Sequence, residues 1–70
     1  MSEKEALTQF GLTNREADAY LALLHLNEAT AKEIADRTKE SRTHLYDTLS
    51  SLIRKGLISY VIKNNTKYFH

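Results

Sequence analysis

Arg42, Thr43 and His44 sit together on the polar side of a stretch whose apolar residues recur at helical spacing. An arginine can bond guanine O6 and N7 in bidentate fashion, and a threonine offers a hydroxyl and a methyl to base edges. Asp47 follows one turn later on the same outward face. Tyr46 lies beside them and has two open readings: packing against the preceding helix, or laying its hydroxyl on a phosphate. Downstream, Lys63, Asn64, Asn65 and Lys67 form a basic, turn-prone cluster suited to a nucleic-acid backbone. Upstream, Thr30 and Lys32 open a helix, and helix N-termini commonly meet phosphates. Each of these groups also has a plain reading as solvated surface, so the elements that carry them decide their meaning.

The elements read as follows. Ser2 and Glu5 make a capping box for a first helix over residues 2–10, with Ala6, Leu7 and Phe10 as its apolar edge and Gly11 as its stop. Thr13 and Glu16 repeat the box for a second helix reaching about Leu26. Its expected inward stripe is Ala17, Tyr20, Leu21 and Leu24, with Leu23 and Leu26 widening the apolar arc. Thr30 and Glu33 make a third box for a short helix from Ala31 to about Arg37, with Ala31, Ile34 and Ala35 inward. Thr38, Lys39 and Glu40 form a turn. Ser41 caps the next helix, whose inward stripe is Leu45, Leu49, Leu52 and Ile53 and whose stop is Gly56. Ser41 joins the candidate contact set through its position at that helix entry. Ser50 and Ser51 face partly outward, and Arg54 and Lys55 read as charges suited to a negative helix end.

The period then changes. LISYVIK and TKYFH are rich in β-branched and aromatic residues around Asn64-Asn65, and asparagine tolerates the positive φ of a two-residue hairpin turn. That turn pairs Lys63 with Thr66, Ile62 with Lys67, Val61 with Tyr68 and Tyr60 with Phe69. Four helices and a hairpin predict a mainly α fold with a small β-hairpin: a winged helix-turn-helix with an extra N-terminal helix, in one domain spanning residues 1–70.

From Leu12 to Leu57 the chain resembles the N-terminal DNA-binding domain of TrmB-like transcriptional regulators, which are mostly archaeal. The resemblance rests on Gly11-Leu12-Thr13, on Glu16-Ala17, Tyr20 and Leu23-Leu24, on the run Ala29 to Ala35, and on Arg42-Thr43, Tyr46, Leu49, Leu52 and Lys55-Gly56-Leu57. It implies sequence-specific binding of double-stranded DNA, with Arg42 at a position the family uses for contact. Two departures stand out. Ser41 occupies the place where such regulators often carry a proline. The large effector-binding domain that usually follows has no room in 70 residues, so no small-molecule ligand is implied within them.

Composition bounds the alternatives. With no cysteine there is no disulfide or thiolate zinc site, and His25, His44 and His70 are scattered, so neither metal nor cofactor is expected. No nucleophile-base spacing, glycine-rich phosphate loop or carboxylate pair suggests an enzyme. The charged N-terminus is no signal peptide, and no run has the length of a membrane span; a cytoplasmic protein is expected. The net charge of +1 hides an asymmetry. Residues 1–36 carry three basic and seven acidic side chains, and residues 37–70 carry seven and two. The basic half suits a polyanion. A homodimer is expected because one recognition helix covers few base pairs, with Leu7, Phe10, Leu23 and Leu26 as its interface; the competing reading folds the first helix over Leu23 and Leu26 within one subunit. The alternative function is a winged-helix protein-protein interaction module of a larger complex without direct DNA readout.

Overall fold

A computed structural model describes residues 2–70. The order is α1 (Glu3–Gln9), α2 (Asn14–Leu26), α3 (Ala31–Thr38), α4 (Arg42–Arg54), β1 (Tyr60–Lys63) and β2 (Thr66–Phe69). This is the mainly helical, winged helix-turn-helix arrangement that the patterning predicts. No helix among the described residues is long and apolar enough to cross a membrane.

All three capping boxes form, at Ser2/Glu5, Thr13/Glu16 and Thr30/Glu33, and Ser41 caps α4 alone. Each box satisfies two backbone donors that a helix start leaves without partners. Gly56 ends α4 at a φ of +75° and Lys39 ends α3 at +64°, both in the left-handed region. Helices α2, α3 and α4 pack on one another, and α1 packs on α2. The centre of the core is Ile34, Leu45, Leu49 and Leu52. Leu45, Leu49 and Leu52 confirm the inward stripe of α4; Thr48 joins it, its hydroxyl donating to the His44 carbonyl at 3.1 Å.

The hairpin has the expected register in all four pairs. Asn64 and Asn65 carry φ values of 51° and 63°, the two consecutive left-handed residues that a type I′ turn requires. Its base is tied to the α2–α3 connection, where Ala29 and Phe69 exchange backbone bonds of 3.0 and 2.7 Å. Phe69 is buried there.

The stripe of α2 is a correction. Ala17, Ala19, Ala22 and Leu23 are buried, whereas Leu24 is 57% exposed and Tyr20 and Leu21 are half-buried. Close approach of α3 and α4 selects the small alanines, which turns the helix by one residue from the expected face. The four residues expected at a dimer interface are placed differently from one another. Leu23 belongs to the subunit's own core, and Leu7 and Leu26 pack partly against that core. Phe10, read as part of the apolar edge of the first helix and as an interface residue, caps α1 at its C-terminal end and is 86% exposed.

Candidate nucleic-acid interface

The N-terminal half of α4 is presented outward by its own periodicity. With Leu45, Thr48 and Leu49 inward, Ser41, Arg42, Thr43, His44, Tyr46 and Asp47 are all exposed. Tyr46 is 48% exposed, which argues against the reading that packs it into the core. The other three helices each hold a glutamate in the first turn; α4 has none, and His44 stands where its capping-box acid would be. Its positive end therefore faces solvent without an internal carboxylate.

A groove of about 270 Å³ joins three elements. It brings together Thr30 and Lys32 from the start of α3, Arg42 and Tyr46 from α4, and Lys67 and Phe69 from β2. These residues are dispersed in sequence, and the helix-turn-helix angle and the Ala29–Phe69 bridge assemble them. Thr43, His44 and Asp47 lie on the next strips of α4, and Asn64 and Asn65 form the hairpin tip; none of these lines the groove.

Several candidates already have internal work. The Ser41 hydroxyl accepts the His44 N–H at 3.3 Å. The Thr30 hydroxyl accepts the Glu33 N–H at 3.2 Å, while its own N–H and O–H donate to the Glu33 carboxylate. The Thr30 backbone N–H, and then its hydroxyl, hold the Glu33 carboxyl below the usual range. Lys32 faces Asp36 at 3.8 Å, with both side chains largely exposed. Lys63 donates to Glu28 at 2.6 Å and lies 5.4 Å from the centre of the Tyr68 ring. Lys67 has no carboxylate partner and sits 4.4 Å over Tyr60.

The charge asymmetry sharpens once pairing is considered. Among the described residues, five cations form ion pairs: Lys4 with Asp18, Arg15 with Glu40, Lys32 with Asp36, Lys55 with Glu16 and Lys63 with Glu28. Among the described residues, Arg37, Lys39, Arg42, Arg54 and Lys67 have no such partner. All five of these lie in the basic half of the chain. Uncompensated cations are the ones a phosphate backbone can engage without first displacing a carboxylate.

Sequence patterning did not reveal one buried network. Glu16 closes the cap of α2 and also receives Lys55 Nζ at 2.7 Å and the Ser51 hydroxyl, with its side chain 4% exposed. Lys55, Ser51 and the Thr13 N–H together lower its pKa from 4.5 to about 2. The capping box marks Glu16 in the sequence, but no local signal links it to a lysine 39 positions away. Ser51 and Lys55 are thereby anchoring groups at the far end of α4.

The family described as sugar-specific transcriptional regulator TrmB matches residues 7–70. The HTH-type sugar sensing transcriptional regulator TrmBL1 of Pyrococcus furiosus is 42% identical over 57 residues, covering 81% of this chain and 17% of that protein. The chain thus spans about a sixth of the length of this relative. No solved structure matches the chain.

Proposed function

The chain belongs to the TrmB family of transcriptional regulators, and from that premise we propose that it binds double-stranded DNA sequence-specifically to regulate transcription. The observation that carries the proposal is the groove at the entry of α4, where Arg42 and Lys67 converge without internal carboxylate partners. In this reading α4 enters the major groove. Arg42, Thr43, His44 and Asp47 meet base edges, Tyr46 and Ser41 lie at the groove margin, and the hairpin tip, Asn64 and Asn65, approaches the flanking backbone. Thr30 and Lys32 border the same phosphate track. Action in the cytoplasm is proposed with it, on the strength of the family alone.

Titration of a random duplex at two salt concentrations tests the proposal. Micromolar or weaker binding that falls steeply with salt is expected, because each phosphate contact releases counterions. Selection from a randomised duplex pool then tests sequence preference. Absence of binding at low salt would sink the proposal and leave the protein-interaction module in its place.

A single recognition helix covers few base pairs, so the regulator is proposed to act as a homodimer on paired half-sites. With Leu23 withdrawn into the core, the exposed apolar side chains away from the hairpin and the entry of α4 are Phe10, Leu24 and Leu57, and Phe10 and Leu57 line a groove of about 440 Å³ with Leu7 and Tyr20. Sedimentation at tens of micromolar checks this. A species of 8.0 kDa that Phe10→Lys leaves unchanged would exclude the dimer.

A further inference from the structure

The two wing lysines lie on opposite faces of the hairpin. Alternation along paired strands puts Tyr60, Ile62, Lys67 and Phe69 on one face and Val61, Lys63, Thr66 and Tyr68 on the other. The stacking contacts agree: Lys67 lies over Tyr60, and Lys63 lies beside Tyr68. Lys67 and Phe69 line the groove shared with Arg42 and Tyr46, as does Thr66 beside the turn, whereas Lys63 does not. Lys63 is turned to the other side, where Glu28 holds its ammonium at 2.6 Å.

Glu28 is placed for this by the backbone. It immediately precedes Ala29, which pairs with Phe69 as an added bridge at the edge of the hairpin. Continuing that pairing puts Glu28 on the face of Tyr68, so its carboxylate reaches across β2 to Lys63 on β1. The contact therefore spans all three extended segments. The Ala29–Phe69 bonds hold the base of the wing, and the Glu28–Lys63 pair holds it nearer the tip.

We infer that Lys63 is a wing-positioning residue, clamped by Glu28, and that Lys67 is the lysine of the wing that meets DNA. This rests on the DNA-binding function proposed above. Lys63 sets the angle at which the hairpin stands beside α4, and its charge is spent on Glu28 in free and bound protein alike. Lys67 projects toward the groove with its charge available.

The slope of log K against log salt separates the two roles, because it counts phosphates neutralised. Lys67→Gln should flatten the slope by about 0.9 unit, the loss of one phosphate contact. Lys63→Gln should leave the slope at its wild-type value. It should also speed amide exchange at Ala29 and Phe69 by up to about fivefold, the upper range for an exposed ion pair. Glu28→Gln should reproduce that exchange change. The charge-exchanged double variant Glu28→Lys with Lys63→Glu should restore wild-type exchange and keep the wild-type slope. Flattening of the slope by Lys63→Gln to the extent seen with Lys67→Gln would overturn the inference. So would collapse of binding in the double variant, which puts a carboxylate where a contacting lysine would have been. If the wild-type protein binds no duplex at low salt, the DNA-binding proposal fails, while the exchange measurements still confirm or refute the clamp.

Discussion

The two ends of α4 are built to opposite plans. At the C-terminal end, Ser51 and Lys55 converge on Glu16, a carboxylate almost removed from solvent, and bind the helix to the start of α2. At the N-terminal end, Arg42, Thr43, His44, Tyr46 and Asp47 stand exposed, and the cap from Ser41 is the internal side-chain bond that orders the entry. Between them, Leu45, Leu49 and Leu52 fill the core. One end is fastened, so the other can be presented in a fixed orientation to something outside. A basic residue on this helix takes its role from its partner: Lys55 is structural because it has a buried one, and Arg42 is available because it has none.

Lys55→Ala is the strongest way to break the anchored end. It leaves the Glu16 carboxylate buried with only Ser51 and the Thr13 N–H, and should cost about 2–3 kcal/mol of stability in urea unfolding. The salt slope of DNA binding should stay unchanged, since no phosphate contact is lost. A slope that falls by about one unit would move Lys55 into the interface.

Acid unfolding probes the same end. The Glu16 carboxyl titrates near 2 in the folded protein and near 4.5 when free. Between those values the unfolded chain binds more protons, so stability rises with pH through this window. The stabilisation is fully present above about pH 4.5 and is lost as pH falls toward 2. Chemical denaturation between pH 5 and 2 should show this acid loss in the wild type and a shallower one in Glu16→Gln. Equal slopes in the two proteins would place the acid sensitivity elsewhere.

Arg42→Ala tests the presented end. Its stability should stay within about 0.5 kcal/mol of wild type, as for surface substitutions without internal partners. Affinity for a selected site should fall by about 1–3 kcal/mol, with discrimination relaxed at one base pair. Equal weakening on selected and random DNA would make Arg42 a phosphate contact instead.

The smallest expected effect is at the turn between the two helices. Lys39 holds a left-handed φ that costs an ordinary residue about 1–2 kcal/mol. Lys39→Gly relieves this but adds unfolded-state freedom of about 0.5–1 kcal/mol. A net stabilisation of about 0–1.5 kcal/mol is expected, read as a small rise in Tm.

Local physics made much of the molecule legible. A capping box needs only residues three apart, and all three formed as the spacing predicts. The Asn64-Asn65 turn needs two residues that tolerate positive φ, and that requirement alone sets the hairpin register. The inward stripe of α4 was legible because a polar face opposes it. The stripe of α2 was not, because leucines and alanines surround that helix and periodicity alone cannot rank them.

By itself, then, the chain determined where its helices begin, where its hairpin turns and which half carries the basic charge, because those depend on neighbours within about one helical turn. Only the tertiary structure decided which charges remain free. Glu16 meets Lys55 and Glu28 meets Lys63 across separations of 39 and 35 residues. Helix packing selected Leu23 for the core and left Leu24 outside. The hairpin register puts Lys63 and Lys67, alike in charge, on opposite faces, and the pairing of Ala29 with Phe69 decided which of the two meets a carboxylate, Glu28. A side chain's chemistry is local, but its partner is chosen by the fold.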